Sequence, residues 1–590
     1  MGLLEDHGCR RAAMICACGL AMRIGLALSG LQPTLAGAME LIVSSTSWER
    51  AQEGYFLGTM GLSHYASGVF SGSPLMLAAV AFYTMLPASV QFLAVASLFG
   101  AVDLASALFL RAICMRAVAV ESGDWETDLE EWMDEDSKPP TAVSNQITSK
   151  GTSSRESVLA PEPSKEEYVD RHGGIASSRY STGNPLAGRD GAKWKLPDIV
   201  LAAYFLNPVI AGQCAALSGD VLGRVLPLAA LAAAGSRRPG ITAAALAAAT
   251  CLWRFYSLPL ILPIALILGN NCSGNGGGMH VEDQNRKDNT SFPTAQRYGP
   301  RGEDGDGSAR RKIANEGRLQ RPQDNRAASA RASGGKGGTE MPGIVDDATA
   351  AEAVFDPRNF QLDGAALLRL FSAFALWCLF ILGACWAATS GWGFLRAAAD
   401  SQLLCEDLTP NIGLYWYFFA EVFPRFRGFF RVLFLSQPYV YVLPATLRLG
   451  MFPEALASLL LAIFGLFQPY PTMADPILAG CLFLCHPRTS ARMRLVIPVG
   501  MAALVPSFLL PIMRHLWLQA GTGNANFYYF QTVALNVLLA VFVLQFAAAL
   551  VKRRKALTVA FHKRRKAMAN AVENADSKDG TAIVGVTKGS

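Results

Sequence analysis

Between Asp407 and Phe423 the chain reads DLTPNIGLYWYFFAEVF. A carboxylate, a hydroxyl and an amide (Asp407, Thr409, Asn411) precede five consecutive rings, Tyr415 to Phe419, and a second carboxylate, Glu421. Carboxylates and an amide can bind the hydroxyls or ammonium of a polar headgroup, while Tyr415, Trp416 and Tyr417 offer faces that stack on sugars. The bland alternative is that the rings are an interfacial belt and that Arg425 and Arg427 neutralise Glu421. Thr409 and Pro410 break the chain, Asn411 can cap the next helix, and the aromatic run has helical character.

Polar groups at the same depth occur twice more. QPYPTMADP carries Tyr470, Pro471, Thr472 and Asp475, and RHLWLQAGTGNANF carries His515, Trp517, Asn524 and Asn526. His515, at a helix end, reads as a structural residue. Asp103 stands inside an apolar run, where an acid is costly unless it pairs or functions, and Arg111 is its candidate partner.

The elements that must position these residues are membrane helices. Of 590 residues 51% are hydrophobic and 17% charged, and the mean hydropathy is +0.26, too apolar for a soluble chain of this length. With roughly 20 apolar residues per crossing, the expectation is an all-α polytopic membrane protein of twelve spans. They fall near 12–34, 88–117, 196–217, 220–235, 239–254, 256–270, 364–390, 427–449, 452–469, 474–487, 493–514 and 527–551. The run from Ser73 to Pro87 is too short to span and reads as an interfacial or re-entrant helix. The formal charge of +6 sits in clusters beside apolar runs, which reads as positive-inside anchoring and excludes a nucleic-acid partner.

Placing Arg10 and Arg11 in the cytosol puts SRR at 236–238, HPRTSARMR at 486–494 and the basic tail 552–590 on that side too. The organisation is then N-terminal spans with a first luminal loop (1–120), an insert (121–195), membrane helices (196–270), a second insert (271–358), membrane helices with the luminal motif (359–551) and the tail. Both inserts are polar, glycine-rich and charged, expected to be disordered and cytosolic. Their sequons at Asn271 and Asn289 should therefore be unmodified.

Other chemistries are poorly supported. The twelve cysteines lie mostly in apolar runs with no paired CxxC array, and Cys485 beside His486 lacks further metal ligands. GNGGG and RGEDGDG lack the strand, helix and lysine of a phosphate loop. No cofactor or metal is implied. The first apolar run resembles an uncleaved signal anchor.

The motif resembles the signature of the PIG-U family, membrane subunits of the glycosylphosphatidylinositol (GPI) transamidase. TSWERAQEG (46–54), SPL (73–75), VDLASALFL around Asp103, YFLNP (204–208), YPT (470–472) and HLWLQAGTGNANFYY resemble family segments in the same order. The resemblance implies a GT-C-like fold, shared with dolichol-phosphate-mannose-dependent mannosyltransferases, and residence in the endoplasmic reticulum membrane. Catalytic GT-C proteins carry a DxD-like acidic pair in the first loop. Here VSSTSWERAQEG offers Glu49 and Glu53 instead, which implies a non-catalytic relative. The implied partners are a PIG-K-like cysteine protease, PIG-T, PIG-S and a GPI-attachment subunit. The implied ligand is the GPI lipid, the C-terminal attachment signal of the substrate protein, or both. On that reading Asp407, Thr409, Asn411, Tyr415, Trp416, Tyr417, Glu421, Asn524 and Asn526 bind headgroup, and Asp103, Pro410, Pro471 and His515 are structural.

Overall fold

Proline recurs in the first turns of the helices, where its missing amide costs nothing and its fixed φ suits entry. Pro74, Pro208, Pro239, Pro424 and Pro453 all stand there. Side-chain caps add to this: Ser73 accepts from the Leu75 amide at 3.2 Å and Asn207 from the Val209 amide at 2.9 Å. A computed structural model describes residues 2–121, 195–269 and 364–586. Among them there is no strand.

The chain runs through α1 (Gly2–Leu28), α2 (Gln32–Ala36), α3 (Trp48–Thr59), α4 (Pro74–Met85) and α5 (Gln91–Glu121). After the first insert come α6 (Leu196–Phe205), α7 (Pro208–Ala215), α8 (Gly219–Gly235), α9 (Pro239–Ala248) and α10 (Ile261–Gly269). Next are α11 (Gly364–Thr389), α12 (Gly393–Gln402), α13 (Tyr415–Glu421), α14 (Pro424–Val440) and α15 (Val442–Leu449). The last are α16 (Pro453–Phe467), α17 (Ala474–Leu484), α18 (Pro487–Ser490), α19 (Val496–Leu518) and α20 (Ala525–Val586).

By length and composition, five helical stretches among the described residues could cross a membrane: Cys9–Leu28, Gln91–Glu121, Gly364–Thr389, Val496–Leu518 and Ala525–Ala567. A sixth forms if α6 and α7, bent by 46° at Asn207 and Pro208, count as one span. The other expected spans correspond to shorter helices. The run near 427–449 is not one helix: Pro444 supplies no amide to the Val440 carbonyl, and the chain breaks at Tyr441 between α14 and α15. The short run after Ser73 forms the twelve-residue α4. Both inserts and their sequons lie outside the described residues, whereas the basic tail continues α20 as helix through Val586.

One large apolar core joins α1, α5, α6, α8, α9, α10, α11, α16, α17 and α20. Buried charge runs through it. Asp103 on α5 accepts from Arg23 Nε on α1 at 2.9 Å and from the Tyr204 hydroxyl on α6 at 3.1 Å. The expected pairing with Arg111 is corrected, because two helical turns, about 12 Å, separate the two residues on one helix. Arg111 pairs with Asp198 at 3.0 Å instead.

Arg23 and Asp103 are both almost wholly buried, so deleting one leaves an uncompensated charge. Asp103→Ala should lower unfolding stability in detergent by roughly 3–5 kcal/mol, read from the thermal melt. The double change Arg23→Leu/Asp103→Leu should cost less than Asp103→Ala alone.

Candidate functional site

The DLTPN turn is fixed by its own side chains. Asp407 Oδ1 accepts from the Thr409 amide at 2.9 Å and from its hydroxyl, an Asx turn. Asn411 repeats the device: Oδ1 accepts from the Gly413 amide at 2.7 Å and Nδ2 donates to the Thr409 carbonyl at 3.2 Å. Asn411 therefore shapes the turn rather than capping α13, whose N-terminus has no side-chain cap. Gly413 is required by close approach, since a Cβ there would stand 2.7 Å from both Asn411 Oδ1 and the ring of Pro471. The Tyr470 hydroxyl closes the turn by donating to the Asp407 carbonyl at 2.8 Å.

The second oxygen of Asp407 reaches across the fold to Arg50 Nη1 on α3, at 2.8 Å. This ties the first loop to the motif. Burial pushes the Asp407 carboxyl up, but hydrogen bonds from Ser44 and Thr409 and the charge of Arg50 outweigh it and hold it below its ordinary value.

The rings of α13 pack on protein. Trp416 stacks with Trp517 at 6.3 Å between centroids and meets Tyr528 and Tyr529, while Tyr417 stacks on Tyr529 at 4.5 Å. The Tyr417 hydroxyl donates to Asn526, so two expected site residues do come together. On the other side Tyr415 and Phe418 pack against Phe434 of α14. Asn411, Tyr415 and Trp416 are consequently buried, at 1%, 6% and 5% exposure. Glu421 and Asn524 are exposed. Asn524 accepts from the Phe527 amide at the start of α20, and Arg427 donates to the Val422 carbonyl. His515 is exposed and bonds Gln519 one turn on, Pro410 is half-buried and Pro471 is buried.

Open space lies beside the motif, in two adjoining clefts. The outer one encloses about 1450 Å³, counting space open to solvent, and has a charged rim of Arg50, Arg396, Asp400, Glu406 and Asp407. The inner one measures about 1040 Å³ on the same count, open space included, and is walled by Trp253, Tyr256, Phe394, Tyr439, Phe464 and Phe467. Ser71 and Ser401 line both, so the charged cleft borders the ring-walled one. Cys405, in the left-handed region at φ 47°, turns the chain into Glu406 and Asp407 at this rim. Glu49 and Glu53 are exposed and line neither cleft.

Sequence reasoning misses most of the inner wall. Its signal is the WRFY run at 253–256, which straddles two of the expected apolar spans. The helix breaks there, and Gln402 of α12 satisfies the freed backbone, accepting from the Phe255 amide at 2.8 Å and donating to the Trp253 carbonyl at 3.2 Å.

A serine, histidine and glutamate also meet away from the clefts: His486 Nε2 lies 3.1 Å from Ser458 Oγ, and its Nδ1 lies 3.8 Å from Glu121. This is not a hydrolytic triad. Glu121 is committed to Arg553 at 2.5 Å and to the Arg488 amide at 2.9 Å, and Ser458 back-bonds the Glu454 carbonyl.

A family model described as GPI transamidase subunit PIG-U matches residues 17–535. The mouse protein named GPI-anchor transamidase component PIGU is 36% identical over 148 residues, 25% of this chain and 34% of that one. Its fission-yeast counterpart, named GPI transamidase component GAB1 homolog, is 35% identical over 157 residues, 27% and 38% of the two chains. Budding-yeast GAB1 is 32% identical over 166 residues, 28% and 41%. The chain thus spans between a third and about two fifths of the length of these relatives.

Asp407→Asn keeps the turn acceptor and removes the charge, so it reads the Arg50 pair together with the hydrogen bond from Ser44. A carboxyl whose folded pKa is depressed stabilises above its unfolded pKa of about 4 and loses that contribution as pH falls through the folded value. The wild-type chain should exceed Asp407→Asn by at most about 1 kcal/mol at pH 7. Thermal melts of the two should converge between pH 5 and pH 3.

Proposed function

Because the chain belongs to the PIG-U family of GPI transamidase subunits, we propose that it is a non-catalytic membrane subunit of that complex, recognising the GPI lipid and/or the C-terminal GPI-attachment signal of the substrate protein in the endoplasmic reticulum membrane. The supporting observation is that the charged outer cleft adjoins the ring-walled inner cleft, with Ser71 and Ser401 lining both. A glycan with phosphate and ethanolamine groups suits the charged cleft, and acyl chains suit the ring-walled one. The bond-making nucleophile then belongs to a PIG-K-like cysteine protease, alongside PIG-T, PIG-S and a GPI-attachment subunit. The mannosyltransferase alternative is weakened by the placement of Glu49 and Glu53 outside the clefts.

In this reading the motif residues divide by position. Asp407 with Arg50, and Glu406 beside them, meet the headgroup, whereas Thr409, Asn411, Tyr415 and Trp416 build the wall that holds Asp407 in place. Tyr417, Glu421, Asn524 and Asn526 form a second polar edge at the same level, suited to the signal peptide or a sister subunit. The shorter helices α8, α9, α10, α16 and α17, with α14 and α15 together as one broken crossing, complete a twelve-span, GT-C-like bundle with both inserts in the cytosol.

Two measurements test this. Ser71→Trp, which puts a large ring at the border the two clefts share, should lower GPI attachment to a surface reporter about tenfold, equivalent to about 1.4 kcal/mol of lost binding, with subunit co-purification unchanged. Unchanged attachment would remove the cleft from the reaction, and loss of assembly would assign it to subunit packing. For topology, mass spectrometry should find Asn271 and Asn289 without glycans; a glycan on either would invert the proposed orientation.

A further inference from the structure

The last helix carries a surface that the proposed lipid site does not use. Lys552, Lys555, Lys563 and Lys566 are all exposed. At 100° per residue they fall within one stripe of α20, because 552 and 563, like 555 and 566, are three turns apart. Val559, 55% exposed, lies between them on the same stripe. The opposite face is buried: Arg553, Leu557 and Ala560 face inward. No ion pair within the described residues involves these four lysines.

The chain supplies a complementary sequence at the same place. From Asp124 to Asp136, DWETDLEEWMDED has eight carboxylates in thirteen residues and no cation. It begins three residues after Glu121, and Glu121 is pinned at the base of the stripe by Arg553, at 2.5 Å, and by the Arg488 amide, at 2.9 Å. The stripe extends about 20 Å beyond Arg553 along the helix, and thirteen residues reach up to about 43 Å. Each acid therefore has a lysine within range, and the covalent tether gives the pairing a high effective concentration.

We infer that the exposed lysine stripe of α20 is the docking surface for the acidic stretch Asp124–Asp136 of the same chain. The interaction is electrostatic and belongs to the end of the molecule that carries Glu121 and Arg553. It is independent of the proposed lipid cleft. Anionic lipid headgroups are the competing occupant of such a stripe. The anchored position of Glu121 and the density of acids beside it favour the intrachain partner.

The test is carbodiimide coupling of the full-length protein, purified with its complex in neutral-lipid nanodiscs and mapped by mass spectrometry. Amide links should join Lys552, Lys555, Lys563 and Lys566 to acids between 124 and 136, fall several-fold in 0.5 M NaCl, and vanish when the eight acids are changed to Asn and Gln. A Val559→Cys/Thr127→Cys pair should form a disulfide under mild oxidation, and Lys→Gln at the four stripe positions should slow it. Stripe lysines that couple elsewhere with the same yield in the neutralised chain would overturn the inference. So would anionic nanodiscs shielding the stripe equally in both chains, which would assign it to lipid. GPI attachment in the stripe variant reads the lipid site separately.

Discussion

Asp103 and Arg23, buried against each other between α5 and α1, set the terms for the rest of the fold. In lipid, apolar helices gain little by meeting one another, because the acyl chains are as apolar as the side chains they replace. Buried polar groups supply specificity instead, since each has few positions in which it is satisfied. Asp103 holds α1 through Arg23 and α6 through the Tyr204 hydroxyl, and Arg23 also donates to the Phe205 carbonyl at 2.7 Å. Sliding any of these helices by a turn would strand a charge.

From this pair the polar contacts run on toward the clefts. The Tyr204 hydroxyl accepts from Arg224 of α8 at 3.2 Å, Arg224 also donates to Gln213 of α7, and Gln213 donates to the Thr472 hydroxyl at 3.1 Å. Thr472 in turn donates its amide to Asp475 at 2.7 Å. Beside them Asp220 anchors Arg254, whose guanidinium reaches the Tyr256 hydroxyl at 3.1 Å on the wall of the inner cleft. Removing an internal link of such a network disturbs its neighbours, so α8, which borders the inner cleft at Gly219 and holds Arg254 through Asp220, is itself positioned by contacts from α6 and α7.

The helices are legible in the sequence because apolar runs and their proline and serine boundaries are local signals. Partners are not legible. Asp103 has an arginine on its own helix, and sequence proximity favours it, yet the satisfied partner is 80 residues away on α1. Asp407 reads as a headgroup ligand from its own stretch, and its closest cation is 357 positions distant. The rings are ambiguous for another reason: stacking on a sugar and stacking on Trp517, Tyr529 and Phe434 call for the same residue types. Only the packing distinguishes them, and here it uses both faces of α13. The WRFY run escapes notice because its backbone break is repaired by Gln402, about 150 residues on.

These pairings explain why the aromatic motif and the open clefts lie side by side rather than coincide. A seven-residue helix is too short to hold itself together, so α13 must be clamped by ring packing on both flanks, and that consumes the faces a ligand would use. What the clamp delivers is the fixed turn in front of it. Two consecutive Asx turns, the close approach of Gly413 to Pro471 and the Tyr470 hydroxyl present the Asp407 carboxylate to Arg50 at the rim. Under the proposed function the rings therefore act at one remove, by fixing a charged edge where α3, α12 and the motif meet.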